Sequence, residues 1–274
     1  MEKERWIVAI RGAGDLASGA ALRLWRCGFR VILSELPEPL CVRRAVSFAG
    51  AVFERRMKVE EAECRLVSDP AEARRVWAEN DIPLVVDPHG AGLFSLNPEI
   101  LIDARMIKSR RDDTHCSDAP LVIGLGPGFL AGGNVHAVIE TNRGHNLGRV
   151  IWQGEAEPDT GTPGTIQGED TRRVVKAPCA GIFHPLVSIG DHVAAGDRIA
   201  MVGRMPVHAQ LTGIVRGVLY PGLNVAKDLK IMDIDPRGKQ AYCFSVSDKA
   251  NAVGGGALEA ILIWNARGSA GTRC

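Results

Sequence analysis

Residues 5–35 read RWIVAIRGAGDLASGAALRLWRCGFRVILSE, and their order decides the fold. Trp6 to Ile10 is a short apolar run ahead of glycines, the pattern of a strand buried on both faces. Gly12-Ala13-Gly14-Asp15-Leu16-Ala17 fits G-x-G-x-x-G/A, and Leu16, Ala20, Leu22, Leu24 and Trp25 continue it as a helix that stops near Gly28. A second strand, Arg30 to Leu33, delivers Glu35 at about the 20-residue spacing where a dinucleotide fold places the acid that holds a ribose. The stretch therefore predicts a complete βαβ opening.

Each residue type has a physical reason in that reading. Without a Cβ, Gly12 can turn tightly and Gly14 can let a pyrophosphate approach the backbone, while Ala17 lets helix and strand pack closely. The helix N-terminus then offers unpaired N–H groups and a partial positive charge to an anion. Asp15 works against this, because an acid in the first turn can take those N–H groups itself and repel a phosphate. The alternative is a βα turn whose glycines only permit packing, and both readings stay open on these residues.

A chain of 274 residues with a formal net charge of +1 has room for one large or two ordinary domains. It shows no basic stripe interleaved with aromatics, which argues against a nucleic-acid partner. No apolar run reaches the roughly 18 to 20 residues needed to span a bilayer. Met1-Glu2-Lys3-Glu4-Arg5 leads into a strand rather than a leader peptide, so the expectation is a cytoplasmic protein without a membrane partner. The seven cysteines are scattered, with no C-x-x-C and no zinc spacing, and read as reduced thiols with no metal.

Beyond Glu35 the sequence predicts a helix over 40–49, a strand over 51–55, and a solvated charged face from Glu54 to Arg65. Asp69-Pro70 starts a capped helix. Pro83 to Asp87 and Ile100 to Arg105 repeat the strand pattern, and such alternation argues a mostly parallel sheet. Leu121 to Leu125 runs into Gly126-Pro127-Gly128, a second glycine loop that is either another anion cradle facing the first or a tight turn. Glu140-Thr141-Asn142-Arg143-Gly144-His145 gathers functional groups on a loop, where Arg143 suits a phosphate.

From about Gly154 to Asp170 glycine, threonine, proline and acids mark a linker. Beyond it Ala177, Gly181, Ile182, Gly190, Val193 and Ile199 recur as Ala209, Gly213, Ile214, Gly222, Val225 and Ile231 at one fixed offset, which predicts a small pseudo-symmetric β unit. Ala177-Pro178-Cys179-Ala180-Gly181-Ile182 and Gly190-Asp191-His192-Val193-Ala194-Ala195-Gly196-Asp197 resemble the barrel-sandwich fold of biotinyl and lipoyl carrier domains. The intervening hairpin, Met201 to Val207, lacks the lysine that carries their prosthetic group, so neither biotin nor lipoate is expected. Ser247-Asp248-Lys249 opens a helix through Gly254-Gly255-Gly256 to Trp264.

Taken together, IRGAGDLASGAALRL, GLGPGF, IETNRGHNLGRVI, KIMDIDPRG, SDKA and GGGALEAIL resemble the YqeB family of selenium-dependent molybdenum hydroxylase system proteins. The N-terminal half is similar in kind to the Rossmann part of XdhC-type maturation proteins. The resemblance implies an accessory role toward a client molybdenum hydroxylase. The fold class expected is α/β: a Rossmann-like mostly parallel sheet (1–153), a barrel-sandwich hybrid repeat (172–236) and a C-terminal segment with a helix (237–266).

In function this gives a maturation factor that holds a phosphate-bearing ligand, either a molybdenum-pterin cofactor or a nucleotide. The alternatives are an NAD(P)-dependent oxidoreductase and a non-enzymatic assembly scaffold. The candidate binding residues are Arg11, Gly12, Gly14, Asp15, Ala17, Glu35, Gly126, Gly128 and Arg143, with Lys108 as a further cation. Against the oxidoreductase, the only tyrosines, Tyr220 and Tyr242, lie outside the N-terminal half.

Overall fold

The computed structural model describes residues 6–107, 109, 112–159, 161, 164 and 167–268. The chain divides into two compact units: the first holds residues 1–39, 48–159 and 246–274, and the second 40–47 and 160–245.

The first unit begins with β1 (Ile7–Arg11), α1 (Asp15–Arg26) and β2 (Arg30–Glu35), and β1 pairs parallel with β2 from Ile7↔Arg30 to Arg11↔Ser34. There follow α2 (Ala51–Glu54), β3 (Arg56–Val59), β4 (Ala62–Val67), α3 (Ala73–Ala78), β5 (Ile82–Val86), α4 (Ala91–Phe94) and β6 (Ile100–Asp103). Then come β7 (Leu121–Leu125), β8 (Leu130–Ala131), β9 (Ala137–Ile139), β10 (Val150–Ile151) and β11 (Gly154–Glu155). Nine of these strands form one sheet in the order β10-β9-β7-β6-β1-β2-β5-β4-β3, and β8 pairs with β11 separately.

Strands β9 through β4 in that order run parallel, while β10 and β3 are antiparallel edges. Val8, Ile10, Leu33, Leu84, Ile102 and Ile123 of the central strands are fully buried. Each such side chain contributes about 1.5–3 kcal/mol by leaving water.

The last helix of this unit, α5 (Asp248–Arg267), starts where the Ser247 side chain accepts from Ala250 N at 3.1 Å. It packs against α1 at near-backbone distance: a Cβ on Gly19 would lie 2.7 Å from the Ala250 Cβ, and one on Gly254 would lie 2.9 Å from the Gly19 carbonyl. Gly254 and Gly256 of the α5 glycine run thus serve close packing, whereas a Cβ on Gly255 would meet nothing within 4 Å. Among the described residues no helix is long and apolar enough to cross a membrane.

The second unit is built from β12 (Val174–Lys176), β13 (Gly181–Pro185), β14 (His192–Val193), β15 (Arg198–Val202), β16 (Met205–His208), β17 (Gly213–Val218), β18 (Asn224–Val225) and β19 (Lys230–Asp235). They form two antiparallel four-stranded sheets, β12-β19-β17-β14 and β16-β15-β13-β18. The repeated halves are interleaved, since β13 of the first copy pairs with β18 of the second and β14 with β17.

These observations correct the expected fold class. In place of a Rossmann-like sheet followed by a barrel-sandwich hybrid, the chain is a mixed α/β protein, with one large sheet whose parallel inner strands lie between two antiparallel edges, and separate antiparallel sheets. The stretch Glu54 to Arg65, read as a solvated face, is the β3–β4 hairpin that makes one antiparallel edge. Its buried Val59, Ala62 and Cys64 are masked in the sequence by the charges between them. The second unit is likewise no module confined to the residues after the linker. Residues 40–47, expected to be helical, hold only a short 3-10 turn, Arg44–Val46, and Val42 O accepts from Val218 N of β17 at 2.7 Å. Ala51–Glu54, expected as strand, is one helical turn.

Candidate functional site

Ligands of parallel α/β sheets bind beyond the carboxyl ends of the strands, so the site is sought in the loops after β1, β2, β6 and β7. The loop after β1 is the first glycine loop. Gly12 has φ +97°, and a Cβ there would sit 3.1 Å from the Ala104 carbonyl, so turn and close approach both require glycine. Ala13 is held from several sides: its N–H donates to Glu35 Oε2 at 2.8 Å, and its carbonyl accepts from Ala49 N at 2.9 Å and from the Ser18 hydroxyl at 3.0 Å.

Gly14 differs. It has extended backbone, caps α1 without a side-chain hydrogen bond, and has nothing within 4 Å of where its Cβ would stand. The first amides of the 12-residue α1 follow it, and intrahelical bonding leaves such amides without carbonyl partners. Asp15 sits half-buried in that first turn, and Ala17 is buried beneath it.

Glu35 closes β2 beside this loop. Besides Ala13 N, its carboxylate accepts from Leu36 N at 2.7 Å through Oε1. Burial pushes its pKa above the ordinary carboxylate value, partly offset by those two backbone hydrogen bonds.

Arg11 belongs to a different structure. It is 2% exposed, and Nη1 donates to Asp113 O at 2.6 Å and to the Thr114 hydroxyl at 2.9 Å, while Nη2 donates to His89 O and Asp113 Oδ2, both at 3.2 Å. Asp103, at the end of β6 and 1% exposed, lies 3.9 Å from it. Arg105 grips the same acids, with Nε to Asp103 Oδ1 at 3.0 Å and Nη1 to Asp113 Oδ2 at 2.7 Å, and the Thr114 hydroxyl donates to Asp103 at 2.6 Å.

Burial, then the neighbouring Arg105 charge, lowers the Arg11 pKa despite Asp103 and Asp113. Burial opposes the Arg105 charge as well, but its hydrogen bonds to Asp103 and Asp113 outweigh that and raise its pKa. Arg11 is thus committed to protein groups and is not presented to a ligand. Asp103, Asp113 and Thr114 were not singled out from sequence; the one signal was the acid that ends the apolar Ile100-Leu101-Ile102 run.

The second glycine loop is filled by protein. Gly126 has φ +78°, and a Cβ there would collide with the Thr141 hydroxyl; Gly128 has φ +103°, and its Cβ would stand 2.5 Å from the Ser109 carbonyl. The chain leaving β6 therefore lies between the two loops, Ala104 and Arg105 against Gly12 and Ile107 and Ser109 against Gly128. A cleft of about 720 Å³ opens beside Pro127 and Gly128, and Asp112, Glu155 and Asp159 are among its lining. Arg143 is tied to α5. Its two Nη atoms donate to both oxygens of Asp248, at 2.6 and 2.8 Å, on the first turn of α5.

The neighbouring Glu140 is 1% exposed and organises its own loop by accepting from Asn142 N and Glu157 N. Lys108 lies outside the described residues. Among the described residues no three His, Cys, Asp or Glu side chains converge as a metal site. Cys27, Cys64, Cys179 and Cys243 are free thiols, whereas Cys116, expected reduced, is disulfide-bonded.

No family model matches the chain. A curated relative, "Uncharacterized protein YqeB" of Escherichia coli (strain K12), is 49% identical over 267 residues, 97% of this chain and 49% of the relative. The chain thus spans about half the length of that relative. Solved structures with some likeness include an aspartoacylase family protein from Mesorhizobium loti, with 10% identity, TM-score 0.27, and coverage of 84% of this chain and 85% of that one. A succinylglutamate desuccinylase/aspartoacylase from Rhodobacter sphaeroides has 11% identity, TM-score 0.26, and coverage of 84% and 85%. The product-bound ectoine utilization protein EutE (DoeB) from Ruegeria pomeroyi has 12% identity, TM-score 0.24, and coverage of 74% and 57%.

These findings correct the family reading. The relative's name agrees with the YqeB resemblance but carries no activity, so the selenium-dependent molybdenum hydroxylase and XdhC-type parts of that reading fall.

Proposed function

We propose that the chain binds a nucleotide through the first glycine loop, with a phosphate over the N-terminus of α1 and a ribose against Glu35. The observation that carries this reading is the 2.8 Å hydrogen bond from Ala13 N to Glu35 Oε2. It brings the acid of β2 next to the open backbone at Gly14, and each carboxylate oxygen, having accepted one backbone bond, keeps a lone pair for a sugar hydroxyl. Helix amides and the dipole favour the phosphate. The second loop takes no part, because its glycines are packed against Thr141 and Ser109.

The reading is of binding rather than hydride transfer. Both tyrosines of the chain belong to the second unit, so the first unit has no phenol to serve as a proton donor. Calorimetric titration with NADH, AMP and adenosine tests it. Wild type should bind NADH and AMP more tightly than adenosine, Gly14→Val should lose the phosphate-dependent part, and Glu35→Ala should weaken all three. Equal binding of AMP by wild type and a folded Gly14→Val would overturn it.

A further inference from the structure

A ligand seated at the first glycine loop has two ways to extend along the carboxyl edge of the large sheet. The strand order reverses at β1, with β2 and β5 on one side and β6, β7 and β9 on the other. A dinucleotide uses both sides, because its two nucleosides leave the pyrophosphate in opposite directions across such a reversal. A mononucleotide uses one. Which side is open therefore decides the class of nucleotide.

The β2 side is open. Glu35 pairs in register with Val86, the last residue of β5, and Leu36 follows Glu35 directly. Val86 and Leu36 are both exposed, whereas Leu84 and Leu33, two residues before Val86 and Glu35 on the same face, are fully buried. A base attached to a ribose at Glu35 has these two apolar side chains one strand spacing away, about 4.8 Å.

The β6 side is filled by the chain itself. Arg11 pairs in register with Asp103, the last residue of β6, and the pairing continues one step further, where Ala104 N donates to Arg11 O at 2.9 Å. The Ala104 carbonyl and Arg105 Cα stand 3.1 and 3.3 Å from where a Cβ on Gly12 would lie, and the Ile107 carbonyl stands 3.2 Å from the same point on Gly128. The backbone after β6 thus passes from one glycine loop to the other, across the strand ends that a second nucleoside has to cover. It is tied down by buried groups. Arg11 donates to Asp113 and to the Thr114 hydroxyl, Arg105 donates to Asp103 and Asp113, and the Thr114 hydroxyl donates to Asp103. Such charge-assisted bonds are strong, and pulling this segment away would leave Arg11 and Asp103 charged in the interior without these partners. A neutral base or nicotinamide ring does not answer those charges.

We infer that the ligand of the first glycine loop is a mononucleotide, and that Arg11 and Arg105 set this limit by holding the chain after β6 across the path of a dinucleotide's second half. The inference rests on the nucleotide reading above. NADH then binds through its adenylate half alone, with its nicotinamide half left in water.

The test titrates AMP, ADP and NADH into the full chain by calorimetry and follows the backbone amides during the ADP and NADH titrations. AMP should bind wild type and lose affinity with Gly14→Val, and NADH should bind no more than about 3-fold more tightly than the better of AMP and ADP. NADH should also leave the amides of Ala104, Arg105 and Ile107 where ADP leaves them. A larger preference for NADH, or further shifts at those three amides with NADH, overturns the inference while the nucleotide reading stands. No AMP binding, or equal AMP binding by wild type and a folded Gly14→Val, overturns both. Should Gly14→Val not fold, the three ligands on wild type decide by the same criteria.

Discussion

The two glycine loops of the first unit follow parallel strands two places apart in one sheet, and they have become different things. After β1, Gly12 turns the chain and Gly14 stands at an uncapped helix end with empty space before it. After β7, Gly126 and Gly128 both have positive φ and both face protein, the Thr141 side chain and the Ser109 carbonyl. The difference teaches that a glycine motif is read by what meets the missing Cβ. Where another part of the chain meets it, the glycine serves packing; where nothing does, the backbone is open to a ligand.

That contrast is most easily broken at Gly128. An alanine there suffers both the left-handed backbone and a backbone collision with Ser109 that no rotamer relieves, so Gly128→Ala should lose about 3 kcal/mol of stability in urea unfolding. Gly126→Ala meets a side chain that can turn away, and the expected loss is about 1–2 kcal/mol. A loss under about 0.5 kcal/mol at both positions, within the range of ordinary surface substitutions, would mean that the second loop is as open as the first.

Glu35 sharpens the comparison through pH. Burial raises its pKa in the folded state above that of the unfolded chain, so between those two values the folded protein holds more protons. The sign follows: this group's contribution makes stability fall as pH rises from the ordinary glutamate range through the folded value. Unfolding followed from pH 4 to 7 should show Glu35→Gln gaining on wild type as pH rises, on top of any constant loss from its missing acceptor. A constant gap across that range would place Glu35 in water, away from Ala13.

The smallest expected effect on stability is at Gly14. Gly14→Val replaces a tolerated N-cap by a poor one, at a cost of about 1 kcal/mol or less, while nucleotide binding is lost. A larger loss of stability would mean that the space before α1 is not open.

The strand, glycine loop, helix and Glu35 were legible because they are local: apolar run, spacing and acid all lie within 31 residues of sequence, 5–35. Arg11 was not. It sits in the same stretch, but what fixes it is Asp113 and Thr114, 102 and 103 positions away, and no local pattern carries such a pairing. The same holds for Gly126 and Gly128, whose steric partners come from other strands' loops. The β3–β4 hairpin was hidden for another reason. Its two-residue period is real, but Arg56, Lys58, Glu60 and Glu61 dominate its composition, and a charged edge strand reads as a loop. Residues 40–47 were read by local propensity, whereas pairing with β17 decides their conformation.

The claim that the first loop and not the second receives a ligand is tested most directly by following backbone amide resonances of the full chain during titration with AMP. The account predicts saturable shifts at Gly14, Asp15, Leu16 and Ala17, with Leu36 moving alongside, and no change at Gly126 and Gly128. Shifts centred on Gly126 and Gly128, with the amides of Gly14 to Ala17 unmoved, would contradict it.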